Sequence, residues 1–204
     1  MTETFLDKAY GTTGTDATRA LYAKWAASYD SEVSENGYVT PRRCALALKS
    51  VTDNFSNPIM DFGCGTGLSG LALSLEGFET IDGMDLTQEM LDLAAEKSLY
   101  RNLKLSDPDS QFPVQPGDYS AIVAAGVIGA GAAPVDVFDL LLNALSRSGK
   151  LVFSFNDHTL ENPVFEERVH AAVATKNAVL LSESYGDHLP GLNMKSKVYV
   201  LEKT

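Results

Sequence analysis

The sequence predicts an α/β chain built on a doubly wound, mostly parallel seven-stranded sheet with an antiparallel C-terminal strand and an N-terminal helical cap. Three observations carry this. Short apolar runs alternate with segments of helical period from residue 59 to 176, and parallel strands need such covered crossovers. Glycines cluster at Gly63, Gly65 and Gly67, between the first of those runs and the helix after it. Lastly, the strand-like runs Ala178 to Ser184 and Lys197 to Glu202 are joined by a loop with no room for a helical crossover, so they pair antiparallel. The expected organisation is one domain over residues 1–204, with a helical cap in 1–54 and an α/β core in 55–204.

In chain order, the Gly/Thr-rich Gly11 to Thr15 reads as a mobile lead-in. From Asp16 to Tyr29, Leu21, Trp25 and Tyr29 recur every four residues beside Thr18 and Tyr22, the period of an amphipathic helix with an aromatic stripe. Asn36-Gly37 breaks it. Thr40-Pro41 then offers an N-cap and a first-turn proline for a second helix carrying Cys44, Leu48 and Val51 on one side. Ile59-Met60 leads through Asp61-Phe62 into the glycines, after which Leu68, Leu71, Ala72 and Leu75 take helical spacing until Gly77. A second strand runs from Glu79 to Met84, and Thr87 caps the next helix, with Leu86 and Leu91 placed as a hydrophobic staple. The third strand, Leu103 to Leu105, is short. The apolar run Ala121 to Ile128 predicts a strand buried on both faces at the centre of the sheet. Pro134 opens a helix through Leu145, Leu151 to Phe155 makes the fifth strand, and a last helix spans Asn162 to Lys176.

Composition narrows the function. The 204 residues hold 27 acidic against 16 basic side chains, a net charge of −11. That field repels phosphate backbones and anionic lipid, so the charge predicts no nucleic-acid partner, no membrane partner and a small-molecule ligand. Cys44 and Cys64 match neither a zinc nor a CxxC spacing, and His158, His170 and His188 form no ligand set, so no metal is expected. With no signal-like apolar segment at Met1 to Tyr10 and no run of about 20 apolar residues, the expected address is cytoplasmic.

The glycines lie where a strand meets a helix N-terminus, and missing side chains there let the backbone turn tightly and approach a ligand. Gly65, Gly67 and Gly70 also satisfy GxGxxG, which keeps a dinucleotide reading open. Asp85, ending the second strand, suits ribose hydroxyls in either case. Asp61 tips the balance, because a carboxylate ahead of the glycines sits poorly beside a pyrophosphate and well beside an ammonium group. The motif also comes after about a quarter of the chain with no separate catalytic domain expected beyond it, and a terminal hairpin stands where a dinucleotide fold has its sixth parallel strand. Gly67-Leu68-Ser69-Gly70-Leu71 is no nucleophile elbow, since Leu71 occupies the final glycine.

With these residues the sequence resembles the class I S-adenosylmethionine-dependent methyltransferases over nearly its whole length. Asp61 to Gly67 is similar to their first motif and Gly83 to Leu91 to their second, while Tyr119 to Val123 and Leu145 to Leu151 stand at their fourth and fifth strands. Leu21 to Asp30 and Gly37 to Pro41 resemble, more narrowly, the small methyltransferase-like branch that includes the Williams–Beuren region protein. The resemblance implies S-adenosylmethionine as cofactor. It places Gly63, Cys64, Gly65 and Gly67 along the methionine and ribose, with Asp61 at the amino end. It puts Asp85 and Leu86 at the ribose, Asp107 at the adenine with Asp109 as a rival, Gly126 beside the methyl group and Tyr29 closing the pocket.

Two departures from the family stand out. Ser120 occupies a position often held by Asp, and Val127-Ile128-Gly129-Ala130 stands where some members carry Asn-Pro-Pro-Tyr, which disfavours exocyclic amines and glutamine amides as acceptors. Methyl transfer needs alignment more than a base. If a base is used, His158, after the fifth strand, is the candidate, whereas His170 and His188 read as surface-helix and hairpin-loop residues. The expected activity is direct in-line transfer to a small-molecule acceptor. A cofactor-binding protein without transfer and an NAD-binding protein remain as alternatives.

Overall fold

The computed structural model describes residues 5–12, 14–107 and 112–204. Its chain runs through α1 (Phe5–Gly11), α2 (Thr15–Glu35), α3 (Thr40–Lys49), β1 (Ile59–Phe62), α4 (Leu68–Leu75), β2 (Ile81–Asp85), α5 (Gln88–Glu96), β3 (Asn102–Leu105) and β4 (Ala121–Ala124). It continues with α6 (Asp136–Asn143), β5 (Lys150–Asn156), α7 (Asp157–Leu160), α8 (Pro163–Ala174), β6 (Ala178–Leu189), a 3₁₀ turn Pro190–Leu192, and β7 (Met194–Lys203). The strands form one seven-stranded sheet in the order β3-β2-β1-β4-β5-β7-β6. β1 pairs parallel with β2 and β4, β2 with β3, and β4 with β5; β7 alone runs against both its neighbours. This is the predicted architecture, with β1 and β4 at the point where the strand order reverses and ligands collect.

Alternation along the strands splits the core into two layers, because successive side chains leave a strand on opposite faces. Met60, Ile122, Phe153 and Phe155 face the side covered by Phe138, Leu141 and Val169 of α6 and α8. Ile59, Ile81, Val123 and Val152 face the other side, under Cys44 and Leu48 of α3 and Leu73 of α4. A third cluster, Trp25 and Val33 of α2 with Ala9 and Leu189, fastens α1 and α2 across the carboxyl ends of the strands. The aromatic stripe thus reaches the core through its helical spacing.

Most boundaries fall within two residues of expectation, and four features depart further, each for a local reason. The helix expected to end at Tyr29 runs to Glu35, where Asn36 caps it and Gly37 turns at φ +72. Thr40 does not cap α3. Val39 holds that place with no side-chain bond, and the Thr40 hydroxyl is buried and bonded elsewhere. The central strand stops at Ala124 rather than Ile128, because Gly126, Gly129 and Gly131 all take positive φ and turn the chain away. The terminal strands are longer than read, so His188 lies within β6 and not in the hairpin loop. No helix among the described residues is long and apolar enough to cross a membrane.

Candidate cofactor and acceptor site

Three of the five residues Gly63 to Gly67 are glycines at φ +68, +54 and +95, conformations that L side chains resist, and they pull the chain sharply from β1 into α4. The turn is locked to the neighbouring strand, since Gly63 and Cys64 both donate backbone N–H bonds to the Met84 carbonyl at 2.8 and 3.0 Å. Gly63 has a packing reason as well, for a Cβ there would sit 2.5 Å from Val127 Cγ2. Gly65 differs. A Cβ on it meets nothing within 4 Å, so the backbone there borders open space.

That space is a cavity of about 410 Å³ at the carboxyl ends of β1, β2 and β4, within the range of small-ligand sites. Gly63 and Gly65 form its floor, Asp85 and Leu86 one wall, Asp107 another, and Gly126 the side toward β4. Tyr29, Tyr22 and Arg19 of α2 close it from above. Asp85 is tied to the loop it faces. Oδ2 accepts the Gly65 N–H at 2.9 Å, and Oδ1 accepts the N–H and hydroxyl of Thr87 at 3.0 and 3.1 Å. Burial raises its pKa, opposed by the N–H groups of Thr87, Gly65 and Leu86 that solvate the charged form. A carboxylate has about four lone-pair sites, so three bonds leave Asp85 room to accept from a ligand hydroxyl.

Four expected residues lie off the cavity wall. Asp61 is fully buried behind the loop and off the cavity wall, with Oδ2 accepting from Ser69 Oγ at 2.6 Å and Tyr100 OH at 2.7 Å, and with Oδ1 buried and unpartnered. Cys64 turns inward, 2% exposed, and Gly67 starts α4 against Lys97 and Tyr100; neither lines the cavity. His158 is also misplaced as a base. It is exposed on α7 and lines neither cavity, because Asn156 caps that turn and points Thr159 inward instead. Asp109 falls outside the described residues.

A second recess of about 50 Å³ adjoins the first, sharing Tyr22, Tyr29, Gly126 and Ala132 with it. Aromatic rings bound it: Trp25 meets Tyr29 edge-on with centroids 4.7 Å apart, and Tyr38 meets His188 edge-on at 5.1 Å. Gly126 is the junction. Its N–H donates to Ser154 Oγ at 2.9 Å, its φ is +73, and a Cβ would stand 2.6 Å from Tyr38 OH. The sequence places an acceptor between the N-terminal helices and the loops after the fourth and fifth strands, lined by Tyr22, Trp25, Tyr38 and residues 156–168. The recess brings those three aromatics to Asn156, and it adds His188 of β6, for which the sequence carried no signal.

A model of the methyltransferase domain matches residues 59–150, from the first residue of β1 through the glycine loop and Asp85 to the first residue of β5. The chain is similar to the class I S-adenosylmethionine-dependent methyltransferases, the domain model covering 92 of its 204 residues. The domain match supports S-adenosylmethionine as the cofactor, and the residues present fit it: the open cradle at Gly65, the hydroxyl-accepting Asp85 and the apolar walls of Leu86 and Phe112. Human methyltransferase-like protein 27 is 28% identical over 159 residues, covering 75% of this chain and 63% of the human protein. The bovine 18S rRNA (guanine-N(7))-methyltransferase is 34% identical over 84 residues, 41% of this chain and 30% of its own. The chain therefore spans less than two thirds of these relatives. A TehB-like methyltransferase of Corynebacterium glutamicum shares the fold, with a TM-score of 0.61 at 19% identity over 91% of this chain and 99% of that one.

These relatives correct one expectation. The charge argued for a small-molecule acceptor and against nucleic acid, yet relatives of this chain are named as rRNA methyltransferases. Net charge misleads because salt screens charges beyond about 8 Å, so the far faces of the molecule say little about the site.

Proposed function

We propose that this methyltransferase transfers the methyl group of S-adenosylmethionine to a ring nitrogen of a nucleic-acid base, the acceptor class named for its rRNA-methylating relatives. The observation that carries the reading is the continuity of the two cavities through Gly126, which sets an aromatic-walled recess directly against the cofactor cavity. When bound, the cofactor supplies an electrophilic methyl group on a sulfonium. The chain's own residues hold and orient: Asp85 takes the ribose hydroxyls, Gly63 and Gly65 present backbone to the methionyl portion, and Asp107 stands at the adenine end. Asp61 acts from behind the loop, where its charge favours the ammonium group. Tyr22, Tyr29 and Tyr38 exclude water and offer faces on which a planar base stacks. A ring nitrogen attacks through a lone pair it already holds, so the nitrogen–methyl bond forms as the carbon–sulfur bond breaks and no proton has to leave. This suits a site in which His158 stands outside both cavities. Two buried free thiols, Cys44 and Cys64, suit a reducing compartment.

The test incubates the purified protein with methyl-labelled S-adenosylmethionine and rRNA, then measures S-adenosylhomocysteine and label in nuclease-digested nucleosides. Labelled 7-methylguanosine supports the reading. Binding of both S-adenosyl compounds without turnover leaves a binding protein, and binding of NAD in their place removes the cofactor assignment. Asp85→Ala is expected to weaken S-adenosylhomocysteine about 100-fold in calorimetry, the loss of charge-assisted hydrogen bonds worth about 3 kcal/mol.

A further inference from the structure

A chain of hydroxyls behind the recess fixes which nitrogen of His188 carries the proton. His188 is 5% exposed, and its Nδ1 lies 2.8 Å from Thr40 Oγ1. Thr40 Oγ1 lies 3.0 Å from Ser196 Oγ, and Arg43 Nη1 donates to that same Ser196 oxygen at 2.9 Å. Arg43 can only donate. Ser196 is fully buried, and among the described residues the one acceptor within reach of its hydroxyl proton is Thr40, so that proton points to Thr40. The Thr40 proton must then go to Nδ1. His188 is left with its own proton on Nε2.

The second half of the argument is what faces the recess. His188 and Asn156 both line it, and His188 Nε2 has no hydrogen-bond partner among the described residues. Asn156 is oriented by Thr159, whose N–H and hydroxyl both donate to Oδ1 at 3.0 and 2.9 Å, which leaves the Nδ2 amide protons unused. These two donors therefore face a recess whose other walls are aromatic rings and small or aliphatic residues. We infer that His188 and Asn156 form a donor pair that recognises a carbonyl oxygen on the methyl acceptor, with Thr40, Ser196 and Arg43 as positioning residues that hold His188 in its Nε2–H form. Burial, together with the Arg43 charge beyond the hydroxyls and against the pull of Asp157, lowers the His188 pKa to about 4, so the ring is neutral at physiological pH. His188 acts as a hydrogen-bond donor rather than a base.

This rests on the base-methylation reading and sharpens it. A carbonyl oxygen has two lone pairs for two donors, as on a six-oxopurine, whereas adenine presents an amino donor in the same position and leaves both site donors unpaired. The experiment has two parts. Long-range proton–nitrogen NMR of the imidazoles, with His188 assigned from His188→Gln, is expected to show a protonated Nε2 and a bare Nδ1 at pH 7, and a mixture of tautomers in Thr40→Val. A protonated Nδ1 or a charged ring overturns the inference. Calorimetry with saturating S-adenosylhomocysteine and guanosine or adenosine as probes is expected to show at least tenfold preference for guanosine. His188→Gln, whose amide carries a donor near the Nε2 position, keeps the preference. His188→Met loses it while S-adenosylhomocysteine affinity stays within twofold. If S-adenosylhomocysteine itself does not bind, the cofactor reading has failed; if it binds and neither nucleoside does, or the preference ignores His188, the donor pair has failed.

Discussion

Asp61 is a carboxyl group that the fold keeps from water, and its cost is measurable. Burial raises its pKa from the ordinary 3.8 to about 6 despite donors from Ser69 and Tyr100. The folded protein thus holds this proton more tightly than the unfolded chain. The stabilisation this provides is whole below about pH 4 and is lost as pH rises through 6, a change of about 3 kcal/mol. In denaturant unfolding from pH 4 to 7, the difference between Asp61→Asn and wild type is expected to move in the variant's favour by about that amount, other groups cancelling in the comparison. A difference that stays flat would mean Asp61 ionises as easily folded as unfolded. At this scale the place of Asp85 beside the glycine loop was legible, because the acid ending the second strand lies against the loop that ends the first. The inward turn of Thr159 in place of His158 was not, because it depends on the Asn156 cap, a side-chain bond with no periodic signature.

Single elements explain how the cavity is covered. α2 is joined to the glycine loop by one acidic residue: Asp30 Oδ2 meets Lys97 Nζ at 2.9 Å, Asp30 Oδ1 accepts from the Thr66 hydroxyl, and Lys97 Nζ donates to the Thr66 carbonyl at 2.6 Å. The same helix brings Tyr22 and Tyr29 over the cavity, so cofactor at the loop and order in the helix are coupled. Hydrogen exchange is expected to slow across residues 15–35 when S-adenosylhomocysteine is added. In Asp30→Ala that protection should shrink, with affinity reduced roughly three- to tenfold, since a partly exposed ion pair and one hydroxyl bond contribute modestly. Equal protection in both proteins would separate the helix from the loop. The aromatic stripe announced α2 in the sequence, but its length and its bond to Thr66 required the third dimension, because Asp30 and Thr66 are 36 residues apart.

Across the whole molecule, the placement of basic residues bears on how the nucleic acid of the proposed reaction would be held. Affinity built on phosphate contacts falls with salt in proportion to the contacts made, and Arg19 is the one Lys or Arg among the described residues lining the two recesses. Binding of rRNA is therefore expected to rest on the stacked base, with log Kd against log salt sloping by less than about 2 in titrations from 50 to 200 mM. A steep slope would reveal a basic track that the net charge conceals. Sheet order, too, was legible only in part: alternation of strand and helix fixes parallel neighbours, and the missing crossover fixes the antiparallel hairpin. Which hairpin strand lies against β5 depends on packing at Phe153 and Tyr199, whose rings stack 5.0 Å apart.

That last choice sets a schedule for assembly. β6 is made before β7, yet β7 lies between β5 and β6, so β6 has no sheet to join until the strand after it has been added. β6 and β7 follow one another and pair as a hairpin of local contacts, whereas β7 meets β5 across 40 to 52 residues, so the step that joins the hairpin to the sheet is the one of high contact order. Leu189 and His188 at the end of β6 arrive with that step. The acceptor recess is thus the part of the site completed last, and a folding intermediate with β1 to β5 in place would hold the cofactor loop before it had anywhere to send the methyl group.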